Sequence, residues 1–142
     1  MKKLLYLGLL SVCVLLGSCV EKNVFNAFDK VERYMDVYSD SALLLLEQIP
    51  HSEELRGKQR ADYALLLTQA RDKNYIVQTD DSLIQVAVRY YDTHEDAPLQ
   101  ARAYYYWGSL YRDQNDYSGA IDKYAIALSH INDHPGNAEL KT

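Results

Sequence analysis

The amino-acid sequence predicts an all-α chain of antiparallel helical hairpins, and three observations carry that prediction. Apolar residues recur at spacings of three and four from Asn23 onward, which places them on one buried helix face. Capping residues and breakers divide this pattern into six segments with short connections. No well-bounded run of strands and no glycine-rich phosphate loop interrupts them, and three prolines and six glycines leave little linker.

The start of the chain stands apart. Lys2 and Lys3, an apolar run from Leu4 to Leu16 and a small-residue step at Gly17 and Ser18 follow the three-part order of a secretory signal. The run is about 13 residues against the roughly 20 that a bilayer crossing needs, so it reads as a signal core over residues 1–18. Val20 to Asn23 form a tether. The first helix then carries Phe25, Phe28, Val31, Met35 and Tyr38 as a stripe. A second, DSALLLLEQI, has Ser39 or Asp40 as its cap and Pro50 as its stop.

A third helix is expected from Ser52, whose hydroxyl can cap it, with Leu55, Tyr63, Leu66, Leu67 and Ala70 inside and Gly57 weakening its first part. The polar stretch RDKNYIVQTDD ends it, and Thr79 to Asp81 cap a fourth. Val86 and Val88 give that segment a strand-like composition, yet Leu83, Val86, Ala87 and Tyr90 fit a helical face better than strict alternation. Pro98, after Asp96 and Ala97, suits the first turn of a fifth helix, because proline lacks an amide that would lie unpaired there. Asn115 and Asp116 supply the next break, Asp116 can cap the sixth helix, and Asn132 to Gly136 close it.

Within the last hairpin, small and aromatic residues are placed in a definite order. Tyr104, Gly108, Tyr111, Ala120, Tyr124 and Ala127, with Trp107 between them, put small side chains where two helices meet and aromatics beside them. At this spacing Ala101–His134 is similar to a tetratricopeptide repeat of about 34 residues. Asp116, Tyr117, Ile121 and Leu128 fit the same pattern. The resemblance implies a short right-handed solenoid over residues 24–134. The earlier hairpins match less well: Ala42 takes the place of a small residue in the second helix, whereas the polar insert around Lys73 to Thr79 breaks the standard length. They read as degenerate repeats or as other helical pairs. Residues 135–142 read either as a stub cap or as the truncated next helix of a longer protein, which would leave the last hairpin uncapped and open to self-association.

The signal ends in LLGSC, which resembles the lipobox of bacterial lipoproteins. That resemblance implies cleavage after Ser18, acylation of Cys19 and a mature chain anchored by lipid from Cys19 onward, with residues 19–23 as lipidated cysteine and tether. Several acyl chains hold far more firmly than one. Cys13 leaves with the signal, so the mature chain has no second cysteine for an internal disulfide, a thiol nucleophile or a cysteine-rich metal site. Loss of Lys2 and Lys3 makes the formal charge of −5 two units more negative, which argues against nucleic acid. Lipobox and repeat together resemble tetratricopeptide-type lipoproteins common in Bacteroidota. This implies a bacterial cell-envelope location, with the outer membrane favoured because no aspartate follows Cys19; the periplasmic and surface-facing sides stay open.

Little in the sequence points to catalysis, and no cofactor is expected. His130 and His134 share a helix-like spacing, but HINDH lacks the glutamate of a metalloprotease motif, and Pro135 follows at once. The acidic pairs Glu53/Glu54, Asp80/Asp81 and Glu95/Asp96 sit where helices begin and serve the helix dipole. His51 and His94 fall in turns and are expected at the surface.

The resemblance instead implies a binding face on the first helix of the matched repeat, presenting Arg102, Tyr105, Ser109 and Arg112, with Asp113 beside them. Two arginines and a tyrosine can hold a peptide by charged hydrogen bonds and aromatic contact. The alternative is that the arginines are merely solvated and Tyr105 packs on the preceding hairpin. The expected function is a membrane-anchored, non-catalytic scaffold for a protein or peptide partner. Two other classes stand beside it: the N-terminal sensory or regulatory part of a larger signalling protein, and a glycan-capture accessory.

Overall fold

A computed structural model describes residues 24–132. The signal segment, Cys19 and the tether precede these residues, and His134 and the closing segment 135–142 follow them. The described residues are all-helical, with no strand among them. Helix α1 covers residues 24–34, α2 Ser39–Glu47, α3 Gly57–Lys73, α4 Ser82–His94, α5 Ala97–Asp113 and α6 Tyr117–Asn132. None of them is long and apolar enough to cross a membrane.

Helix α1 buries Val24, Phe28, Val31 and, just past its end, Met35. Phe25 and Tyr38, placed on the same stripe by the sequence, are exposed. Phe25 lies one residue, about 100° of turn, from the Val24 position that wins the core. Tyr38 follows the turn at 35–37 and is no longer in register. Helix α2 starts at Ser39 with no side-chain cap; Asp40 instead accepts the adjacent amide of Ser41 at 2.7 Å.

The largest departure is at α3. Ser52–Glu54 form only a 3₁₀ turn, Leu55 and Arg56 are extended, and the helix proper begins at Gly57. Gly57 has φ +54, a left-handed conformation that a side chain would strain, so it separates the turn from the helix rather than merely weakening it. From Ala64 to Ala70 every residue of α3 is buried, because neighbours cover it on several sides.

One core contains Val24, Phe28, Val31, Met35, Ala42, Leu46, Ile49, Leu55, Leu66, Leu67 and Ala70, joining α1 and α2 to one side of α3. The other packs Ala61, Ala64 and Leu65 of α3 against Ile84, Ala87, Val88 and Tyr91 of α4 and Ala103, Tyr106 and Leu110 of α5. Helix α4 is thus helical as expected, but its buried face is centred on Ile84, Ala87, Val88 and Tyr91. Leu83, Val86 and Tyr90 lie at its half-buried flank, because α4 is shared between α3 and α5.

Asp96 caps α5 by accepting the Leu99 amide at 3.3 Å, with Pro98 in the first turn. Asp116 does the same for α6, accepting from Gly119 at 2.9 Å. Helices α5 and α6 run back against each other: Tyr104 of α5 stacks on His130 near the end of α6, and Gly108, one turn further along α5, faces the earlier Tyr124. A Cβ at Gly108 would lie 2.6 Å from Tyr124 Cε1, so this crossing requires glycine's missing side chain. Ala120 and Ala127 are buried in the same contact.

Candidate interaction surfaces

The four residues assigned to peptide binding do not form one open face. Arg102 is tied within the chain, donating from Nη1 and Nη2 to Glu32 of α1 at 2.8 and 2.9 Å and from Nε to Gln69 of α3 at 2.8 Å. Ser109 is buried, its Oγ 3.3 Å from the Tyr124 hydroxyl. Arg112 joins Asp72 at 3.0 Å and its neighbour Asp113 at 2.7 Å. Tyr105 is exposed, as is the ion-paired Arg112, and it packs edge-on against Tyr106 and tilted on Tyr124 of α6 rather than on the preceding hairpin.

The surface formed by α1, α3 and α5 is therefore laced by ion pairs, to which Lys73 and Asp36 add another at 3.0 Å. Burial raises the pKa of the Asp72 carboxyl, an effect that the Arg112 charge opposes. The hydrogen bond to Asp113 strengthens the hold of Arg112 on its proton. These arginines join helices far apart in sequence, so a ligand would have to displace those bonds to use them.

Other polar groups singled out in the sequence also have structural partners. Asp81 accepts from Trp107 Nε1 at 3.1 Å and from the Tyr111 hydroxyl at 3.2 Å, fixing both repeat aromatics to the start of α4. Asp80 accepts the Ser82 amide, and hydrogen bonding from the Ser82 side chain, followed by that amide, lowers its pKa. Asp62 accepts from the buried Tyr91 hydroxyl at 2.7 Å and from Lys58 at 2.7 Å, beside a cavity of about 160 Å³. Burial, followed by this hydrogen bond, pushes the Tyr91 phenol well above its ordinary range, so it holds its proton at neutral pH. His94 stacks on Tyr90 at the surface. His51, Glu53 and Glu54 bring possible ligand atoms within 4.8 Å of one another, but all three are exposed on the 3₁₀ turn.

Two surfaces carry exposed apolar side chains, one that the sequence reading missed and one on the last hairpin, which it expected to be open to self-association. At one end of the helices, the turn after α1 presents Val37 and Tyr38, and the connection after α3 presents Tyr75, Ile76 and Val77. The turns are held together by Asn74, whose Nδ2 donates to Ser39 O at 2.8 Å, and Gln114 ties the next turn in by donating to Gln78 O at 3.1 Å.

Within this rim, Tyr75 is 94% exposed and has φ +58. It occupies the left-handed position after α3, where the Ile76 amide returns to Arg71 O at 2.9 Å. Glycine normally serves this position, since a bulky side chain there is strained. A sequence signal was available: an aromatic and two aliphatic residues inside an otherwise polar insert, where no helix stripe needs them.

The second surface lies on α5 and α6, where Ala101, Tyr105, Tyr124, Ala127, Leu128 and Ile131 line an open groove of about 460 Å³. Ile121 and Leu128, read in the sequence as fitting the repeat's second helix, point outward and are 66% and 57% exposed.

No protein-family model matches the chain, and neither a curated protein nor a solved structure matches it.

Proposed function

We propose that the protein is a lipid-anchored helical-repeat scaffold of a bacterial envelope that binds a protein or peptide partner through the rim formed by Val37, Tyr38, Tyr75, Ile76 and Val77. The observation that carries this reading is Tyr75. An aromatic that contributes almost nothing to the core occupies a position where glycine would be more stable, and strain without a folding role points to use elsewhere.

The repeat reading, a right-handed stack of tetratricopeptide type, is supported by the order of packing. Helix α2 packs on α3, α4 on α5, and α3 touches α5 directly, as successive hairpins would. The Gly108–Tyr124 contact adds the small-against-aromatic crossing that the resemblance implies. The anchor is supported by the LLGSC step before residue 20. The chain enters α1 at residue 24, whereas the rim follows the other end of that helix, about 16 Å away at 1.5 Å per residue. A scaffold tethered through Cys19 can thus hold the rim away from its point of attachment.

The anchor is tested by mass spectrometry of the protein extracted from its host's membranes, whose N-terminal peptide should begin at Cys19 and carry acyl chains; an unacylated species retaining residues before Cys19 would refute it. The rim is tested with a photo-crosslinking residue placed at Tyr75 in the same membranes. A discrete protein adduct that free Tyr75 parent protein competes away, and Tyr75→Gly protein does not, is the expected result.

Glycan capture is the second reading, because exposed phenols such as Tyr38 and Tyr75 can also stack on sugar rings. Saturable oligosaccharide binding that is lost in Tyr75→Gly, with no protein adduct, would replace the protein partner by a glycan.

A further inference from the structure

The outer side of α6 is a self-complementary seam. Tyr117, Ile121, Tyr124, Leu128 and Ile131 follow one another at spacings of four, three, four and three, the repeat that keeps side chains along one line of a paired helix. Tyr117, Ile121 and Leu128 are exposed, while Tyr124 and Ile131 are half-covered and line the groove next to α5. The buried Ala120 and Ala127 lie on the adjoining flank, in the contact with α5 that Tyr124 shares.

We propose that this seam pairs with the same seam of a second copy, the two α6 helices running antiparallel about a two-fold axis beside Tyr124 and Ala125. Three features select a second copy as the occupant. First, the apolar spacing is nearly symmetric about that midpoint: an antiparallel pair sets Ile121 against Leu128 of the second copy and Tyr117 against its Ile131, twice each. The exposed small residue Ala125 at the centre permits close approach.

Second, the seam is uncharged. Its exposed flank is Ser118, Ala125 and Asn132, while Lys123 lies over the Trp107 ring at 4.0 Å and His130 stacks on Tyr104, both toward α5. Asp122 stands one residue off the line. Like copies therefore meet without like charges, despite the acidic balance of the chain.

Third, the seam is large enough. A helix of this length runs about 24 Å. Burial of two such strips with Tyr105 and the groove covers on the order of 1,000 Å² in total, near the threshold for a specific but weak dimer. By contrast, α1 of the first hairpin turns Asn26, Asp29, Lys30 and Arg33 outward beside a single exposed aromatic, Phe25, so a head-to-tail chain of copies would set most of this apolar strip against polar and charged groups. The pairing is independent of the rim and leaves it uncovered.

Sedimentation equilibrium of the full chain in density-matched detergent tests the proposal. The parent should approach twice the mass of one copy at micromolar concentration. Ile121→Lys alone and Leu128→Glu alone should each reduce it to one copy with unchanged helical circular dichroism. The two substitutions combined in one chain should restore the pair, because an antiparallel seam sets each new cation against a new anion. Leu44→Glu, at another exposed apolar site, should change nothing. A parent that stays single at all concentrations overturns the proposal, including one that pairs only after residues 133–142 are removed, which would give the seam to that segment. A combined variant no better than either single one overturns it equally.

Discussion

Alanine at position 108 tests the α5–α6 contact on which the repeat resemblance turns. In a helix interior, replacing glycine by alanine is favourable by about 1 kcal/mol from propensity alone. Here the new methyl would stand 2.6 and 2.7 Å from Cε1 and Cδ1 of Tyr124 and 3.2 Å from the Ala120 carbonyl. The ring is not free to step aside, since its hydroxyl meets Ser109 Oγ and its face meets Tyr105. Overpacking of this kind costs about 1–3 kcal/mol, so Gly108→Ala should leave the parent unchanged or less stable by up to about 2 kcal/mol. With Tyr124→Ala already in place both ring contacts are gone and only the 3.2 Å approach to the Ala120 carbonyl remains, so the same change should stabilise by up to about 1 kcal/mol. The coupling is thus about 1–3 kcal/mol, readable from urea midpoints of the four chains at constant m. If Gly108→Ala stabilises both backgrounds equally, the two helices do not cross at that glycine.

Tyr75→Gly should raise stability by roughly 1 kcal/mol, because the left-handed position then carries no side chain; an unchanged urea midpoint would remove the argument from strain. Arg102→Met should cost about 1–3 kcal/mol, since it leaves the buried Gln69 oxygen without its donor, whereas Arg33→Met at the surface should stay within about 0.5 kcal/mol. Equal losses at the two sites would show that the ties of Arg102 hold nothing together. Alkaline pH should unfold the protein. Burial first, and then the hydrogen bond to Asp92, push the Tyr104 phenol up to about 12, and burial raises Tyr91, Tyr106 and Tyr111 as well. Between about pH 10 and pH 12 the unfolded chain releases protons that the folded chain keeps, so stability falls as pH rises through that window. Urea midpoints that do not move across that range would contradict the burial of these phenols.

Helix existence was legible because periodicity, Pro98, Asp96 and Asp116 all act within a few residues of where they stand. The last hairpin was the most legible, since Gly108, Ala120 and Tyr124 encode a contact by size alone. Helix faces were less so: α4 is pressed by two neighbours, and spacing within one segment does not say that Ile84 rather than Leu83 faces inward. The start of α3 was misread because Ser52 offers a good cap, whereas the deciding feature is the backbone angle of Gly57. The pairing of the residues expected on the binding face was hidden for a different reason. Arg102 and Arg112 look available in sequence, and only the fold brings Glu32, Gln69 and Asp72 to them from other helices. The strain at Tyr75 likewise lies in a dihedral angle that composition does not express.

Helix α3 belongs to both cores at once, and this sets how the protein can come apart. Opening α1 and α2, or α4 and α5, would each uncover a different side of the same run from Ala64 to Ala70, so neither half can melt without stripping the support of the other. Helix α6 has no such obligation: it belongs to neither core and packs on α5 through Ala120, Tyr124, Ala127 and the His130–Tyr104 stack. Amide exchange would therefore be graded from the middle of the sequence to its later part, with α3 exchanging only through global opening and α6 through local detachment. The segment that carries the proposed pairing surface is also the one able to move without unfolding the rest.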